Sequence, residues 1–203
     1  MSLTAPTSVA FRALSEATAD DWRAMDTAER DWRQAGGPGA GLLAILDGIA
    51  HADALRAPVN LYTHSLQTAT RVVEAGEDDE LVVVALFHDL PEAFSANHHG
   101  LVAAHMLAPR LSAARHWLLV HHVEFQAYHY VQHPSRDRNE REQYRGHPCF
   151  EETARFCARY DQVSFDPDFV HLPLRDFAPI VRRYFSAAAA PAPASAPTPA
   201  PGA

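Results

Sequence analysis

The stretch Leu81-Val-Val-Val-Ala-Leu-Phe87, followed directly by His88-Asp89-Leu90-Pro91, limits the fold more than any other part of the chain. Its seven consecutive apolar residues leave no polar face, so the segment needs protein on every side. Taken alone, the run fits a buried strand or a buried helix. Its flanks favour helix: Asp78, Asp79 and Glu80 put negative charge on a first turn, where the helix dipole stabilises it. Pro91 must interrupt that helix, because its ring clashes near Phe87 and it disfavours the α region for Leu90. His88 and Asp89 therefore fall in the last helical turn, and Glu92 falls just past the break.

The surrounding segments also read as helices. Thr18 caps "DDWRAMDTAERDWRQA", and "GGPGAG" at 36–41 breaks it. Residues 42–54 and 60–75 carry apolar residues at helical spacing, the second closed by Gly76. Two helices, 99–108 and 110–122, are divided at Pro109. A polar loop with four arginines follows over 131–148, then helices at 149–161 and 175–185. The pattern predicts an all-α bundle with three parts: an N-terminal extension with one helix (1–41), a main domain (42–185) and a disordered Ala/Pro tail (186–203).

Composition narrows the function. The formal charge of −8 argues against a nucleic-acid partner. All 17 basic residues are arginine, so an anion can be held only by Arg, His, backbone N–H or metal. Cys149 and Cys157 make no disulfide framework and no CxxC pair, so a reducing, cytoplasmic setting is expected. The N-terminus has no signal-peptide pattern, and no run is long enough for a membrane span. Histidine is the outlier: 11 of the 13 lie between His64 and His147.

Several of these histidines fall at the buried ends or on the inner faces of the expected helices. They are His64, His88, one of His98/His99 and one of His121/His122, together with Asp89 and Asp161. A bundle can gather such positions in its core. Imidazole with carboxylate suits iron, manganese, cobalt, nickel or zinc, and two carboxylates among about six donors fit two ions better than one. Among the other histidines, His105, His116, His129, His133, His147 and His171 read as surface or outer supporting groups.

His64, the His88-Asp89 doublet and Asp161 resemble the H…HD…D pattern of the HD superfamily of metal-dependent phosphohydrolases, over roughly residues 55–185. The additional histidines resemble its dinuclear branch. "HSLQTATRVVEAGEDDELVVVALFHD" is similar to a group that also includes mixed-valent di-iron oxygenases cleaving the carbon–phosphorus bond of hydroxyphosphonates. The resemblance implies an HD-domain helical bundle with a buried dinuclear site. It implies His64, His88, Asp89 and Asp161 as ligands, with Asp89 bridging, and His99 and His122 completing the second ion. His99 is preferred because "HGLVAAHML" is similar to the family's next helix, and His122 because it precedes "VEFQAY".

Two positions depart from the oxygenase pattern. The oxygenases carry His or Lys where this chain has Glu92, whereas hydrolytic HD nucleotidases carry a glutamate that assists the attacking water. The phosphonate oxygenases carry a substrate-binding Lys where this chain has Gln126. The expected reaction is therefore hydrolysis of a small phosphate ester by metal-activated water, with Glu92 and Asp89 as catalytic groups. Iron, or alternatively manganese, would supply the two divalent ions. Gln126 and the arginines Arg136, Arg138, Arg141 and Arg145 would contact a small anionic phosphorus-containing substrate. The alternative is a di-iron oxygenase cleaving a C–P bond, or a C–C bond as inositol oxygenase does. A monomer or homodimer is expected, without membrane or nucleic acid.

Overall fold

The computed structural model describes residues 9–53 and 57–186. The expected disordered tail falls, beyond Ser186, outside the described residues. Among the described residues every regular element is helical. The α-helices are α1 (Ala19–Gln34), α2 (Gly37–Gly48), α3 (Leu61–Glu74), α4 (Asp79–Phe87), the single turn α5 (Glu92–Ser95), α6 (His99–Leu107), α7 (Ala113–Gln126), α8 (Phe150–Phe156) and α9 (Leu174–Ser186). No helix among these residues is long and apolar enough to cross a membrane.

Local chemistry sets most of the boundaries. Thr18 and Asp21 form a reciprocal capping box at the start of α1. Asn60, Asp78 and Ser112 each accept a backbone N–H at the start of α3, α4 and α7. After α3, Glu77 N–H bonds Val72 C=O and Gly76 N–H bonds Val73 C=O, with Gly76 at φ 71°. This double closure is a Schellman turn, and it needs the left-handed residue that glycine supplies.

Helix α4 is the centre of the molecule. Every residue from Leu81 to Phe87 is at most 2% exposed. It packs against α3, α7 and α9, while α6 pairs with α7, α2 with α9, and α8 with α7. Each fully buried aliphatic or aromatic side chain contributes roughly 1.5–3 kcal/mol, so this run alone commits the chain to a bundle around α4.

The acidic residues before α4 do more than serve its dipole. Glu77 accepts from Tyr160 (2.6 Å) and pairs with Arg155, while Asp78 meets Arg115 at 3.4 Å. Asp79 meets Arg183 at 2.9 Å, and Glu80 accepts from Ser112 N–H at 2.5 Å. Residues 77–80 thus clamp the start of α4 to α7, α8 and α9.

Several boundaries differ from the sequence reading, among them the helix expected over 42–54, which ends at Gly48. Residues 37–41, expected as a break, form the first turns of α2. Gly36 makes the turn at φ 75°, and a Cβ at Gly39 would stand 2.8 Å from Phe185 of α9, so the glycines permit close packing rather than a loop. Helix α7 starts at its Ser112 cap and runs to Gln126, four residues past the expected end. The expected single helix 149–161 changes register: Cys157–Asp161 is a π turn in which Gln162 N–H reaches back to Cys157 C=O.

Asp78→Ala removes the cap to Leu81 N–H and one partner of the buried Arg115. It should lower stability by about 1 kcal/mol, or roughly 2–4 °C in melting temperature. A thermal melt checks this, and a melting temperature equal to the wild type would show that Asp78 does not anchor α4.

Candidate metal centre

Six side chains from five parts of the fold meet at the inner end of α4. His64 comes from the first turn of α3, and His88 caps the end of α4. Asp89 follows in the turn that Pro91 enforces; there Leu90 N–H bonds Phe87 C=O and Glu92 N–H bonds Asp89 C=O. His99 opens α6, His122 lies in α7, and Asp161 ends the π turn after α8. All six are at most 9% exposed.

The four imidazoles share one orientation. Each Nδ1 lies against a backbone carbonyl: His64 on Ser164 (2.9 Å), His88 on Ala85 (2.9 Å), His99 on Ala96 (2.8 Å) and His122 on Leu119 (2.7 Å). A carbonyl only accepts, so each Nδ1 carries the proton and each Nε2 keeps its lone pair for the centre. The Nε2 atoms of His64 and His88 approach to 3.3 Å, and those of His99 and His122 to 3.2 Å.

Asp89 lies between the two pairs. Its Oδ2 is 3.3 Å from both His64 Nε2 and His88 Nε2. Its Oδ1 is 3.3 Å from His99 Nε2 and 3.1 Å from His122 Nε2. Asp161 adds a second carboxylate to the first pair, with Oδ1 3.4 Å from His64 Nε2. Two donor groups result, His64–His88–Asp89–Asp161 and Asp89–His99–His122, sharing Asp89. These groups could hold a metal ion. Lone pairs pointed at one another are repulsive, and Asp161 Oδ2 is buried with no hydrogen-bond partner among the described residues. A cation at each group would satisfy both conditions, and Nδ1 bonded to backbone is the arrangement that orients ligating histidines.

Without metal, protons take part of that role. Burial disfavours charge on His64, but Asp161 and Asp89 outweigh it and raise its pKa to about 9. Burial likewise opposes charge on His88, and the Asp89 carboxylate overcomes it and holds His88 well above the ordinary value. Burial would raise Asp89, yet the facing histidines, His88 first, hold it well below the usual carboxylate range. Glu92 is raised, by burial and then by the charge of Asp89.

The cluster opens into a cavity of about 880 Å³. His64, Asp89 and His99 lie on its inner side, and Glu92, Tyr130, Arg136, Glu124, Glu140 and Phe165 are among the residues that line it. Phe165 stacks on His64 with centroids 4.4 Å apart. Of the two adjacent-histidine choices, His99 and His122 join the cluster. His98 is exposed at the cavity edge, and His121 packs between Trp117 and Tyr144.

The expected substrate contacts separate. Arg136 lines the cavity, 4.0 Å from Glu140. Arg138 and Arg145 are not among the lining residues. Arg138 Nε donates to Tyr128 C=O (2.8 Å), and Arg145 pairs with Glu142 and stacks over Phe150. Arg141 lies 3.4 Å over the Tyr128 ring. These three arginines pin the 131–148 loop. Gln126 borders the cavity, but its amide donates to Asp161 Oδ1 (2.8 Å) and accepts from Tyr130 Oη (2.5 Å).

Some contributors were not visible as site residues. Tyr130 reaches the cavity, following Gln126 by four residues and His122 by eight, a helical spacing present in the sequence. Ser164 supplies the carbonyl that orients His64 from a strap, residues 163–172, held along α3 by Gln67, Thr70 and Arg71. Gly100 lets α6 and α7 close: a Cβ there would stand 2.6 Å from Leu119 O and 3.0 Å from the His122 ring.

No family model matches the chain, and no curated protein matches it.

Gly100→Ala should force α6 from α7 and weaken the Asp89–His99–His122 group while sparing the other. Metal titration should show one of two binding steps weakened; two unchanged steps would overturn this. A pH series makes a second test. A histidine raised above its unfolded value near 6.5 contributes stability below that pH and loses it as pH rises through about 9. Chelator-treated protein should therefore lose stability between pH 6.5 and 9, and added Mn(II) should raise the melting temperature more at pH 9 than at 6.5. A metal-induced rise that shrinks across that window would contradict the assignment.

Proposed function

We propose that this chain is a metal-dependent phosphohydrolase of the HD type, cleaving a small phosphate ester. The observation that carries the reading is the Asp89 carboxylate, one oxygen facing His64 and His88 and the other facing His99 and His122, at the inner side of an 880 Å³ cavity. When bound at the two donor groups, divalent ions such as iron or manganese supply a water of lowered pKa and neutralise charge on phosphoryl oxygens.

The chain's own residues do the rest. Glu92 borders the cavity three residues after Asp89, where its carboxylate can take a proton from the attacking water and return it to the leaving oxygen. The water oxygen bonds phosphorus as the ester P–O bond breaks, leaving phosphate and an alcohol. Arg136 is the arginine that lines the cavity, and it meets the anionic end of the substrate. Phe165 covers the outer face of His64 and limits water there. An acid beside the shared carboxylate favours proton transfer over binding of an anionic oxygen species, so hydrolysis ranks above di-iron oxygenase chemistry on the same donors.

Phosphate release from a panel of phosphate monoesters and hydroxyphosphonates tests the reading, using Fe(II)- and Mn(II)-loaded protein with and without oxygen. Release from monoesters without oxygen is expected. Glu92→Gln should lower kcat by about 10²–10³-fold at unchanged metal content. Release only from phosphonates, with iron and oxygen, would replace hydrolysis by the oxygenase reaction. Absence of release from every substrate would leave a metal-binding module.

A further inference from the structure

We infer that Gln126 and Tyr130 form a positioning relay for Asp161, so that Gln126 sets the affinity of the first ion rather than contacting substrate. The inference rests on reading the His/Asp cluster as a metal centre. Its starting point is a ladder on one face: His122, Gln126 and Tyr130 follow one another at four-residue intervals through the end of α7 and the short 3₁₀ turn Ala127–His129. The ladder points toward Asp161 at its middle rung and toward the cavity at its outer rung.

The hydrogen bonds have one consistent direction. The Tyr130 hydroxyl donates to Gln126 Oε1 at 2.5 Å, and Gln126 Nε2 donates to Asp161 Oδ1 at 2.8 Å. A carboxylate accepts only, so Nε2 must face Asp161. Oε1 then faces Tyr130, and a flipped amide would set its oxygen against the carboxylate and lose the bond to Asp161. Gln126 is 8% exposed and Asp161 is fully buried, so the bond between them is not readily exchanged for water. Asp161 otherwise meets the ligand histidines and the buried Cys157 thiol, and its Oδ2 has no hydrogen-bond partner among the described residues.

The consequence is local. Asp161 belongs to the group with His64 and His88, not to the group with His99 and His122. Loss of the Gln126 bond frees the carboxylate to rotate and leaves it poorly oriented for the first ion alone. Hydrogen bonds to ligating carboxylates typically change metal affinity 10–100-fold when removed. Tyr130 acts one step further out, so its hydroxyl should matter in the same direction and by less.

The test is Mn(II) binding to the full chain, read by electron paramagnetic resonance of free and bound ion, for wild type, Gln126→Leu and Tyr130→Phe. Wild type should bind two ions. Gln126→Leu should weaken one step by about 10–100-fold and leave the other unchanged, with Tyr130→Phe shifting the same step less. Tyr130→Phe removes only a hydroxyl and guards against a misfolded Gln126→Leu. Two wild-type binding steps in both variants, with a raised KM for a hydrolysed ester, would make Gln126 a substrate contact and overturn the relay. If wild type binds no Mn(II), the metal-centre reading itself fails, and the relay with it.

Discussion

Four imidazoles are turned Nε2-inward around one buried carboxylate, and much of the molecule is arranged to hold them there. Each ring has its Nδ1 fixed by a main-chain carbonyl, from Ala85, Ala96, Leu119 or Ser164. Three of those carbonyls lie three residues before their own histidine, so His88, His99 and His122 are oriented locally, and His64 alone of the four is oriented by a distant segment, at Ser164. Lone pairs 3.2–3.3 Å apart in a dry interior repel unless a proton or a metal lies between them. The Asp89 carboxylate relieves that repulsion in either case. A residue placed to neutralise two pairs at once is the least replaceable position in the cluster.

Helix α4 joins stability to the site because its two ends are built differently. Its start is held by ion pairs and caps from Glu77 to Glu80, reaching α7, α8 and α9. Its middle is wholly apolar and buried. Its end carries the polar groups of the site, where Pro91 stops the helix and opens the next turn. The charged clamp fixes the axis, the apolar run fixes the depth, and the proline fixes where Asp89 leaves the helix. Displacing any of the three would move the shared carboxylate relative to histidines on α3, α6 and α7.

Much of this was legible in the sequence because it is local. The cap at Thr18, the acidic start at Asp78, the closing Gly76 and the unbroken apolar run each depend on a few adjacent residues. The residue pattern pointed to His64, His88, Asp89, Asp161, one of His98/His99 and one of His121/His122; the family resemblance selected His99 and His122, and the structure brings those six together. What escaped is non-local. The π turn that ends at Asp161 packs against α3 and α7, and no side chain in "CARYD" announces it. The close approach at Gly100, and the strap that brings Ser164 to His64, require knowing which helices touch. Glycines 37 and 39 read as breakers because glycine usually is one. Here they permit contact with Trp32 and Phe185 inside a helix.

The arginine-rich loop shows how composition misleads about a site. With no lysine in the chain, its arginines looked like the natural holders of an anion. Arginine also stacks on aromatic faces and bonds carbonyls, and most of these do so: Arg138 and Arg141 on Tyr128, and Arg145 on Phe150. Only Arg136 among the four reaches the cavity, and there it faces Glu140. The division of labour around the cluster is consequently sharp. Glu92 and Arg136 stand on the cavity side, where groups can meet a ligand. Gln126 also borders that space but engages both ends of its amide with protein, Asp161 on one side and Tyr130 on the other. A side chain with both ends already satisfied by protein, and only 8% exposed, has little left to offer a substrate. Its position beside the cavity is therefore explained by the carboxylate it holds.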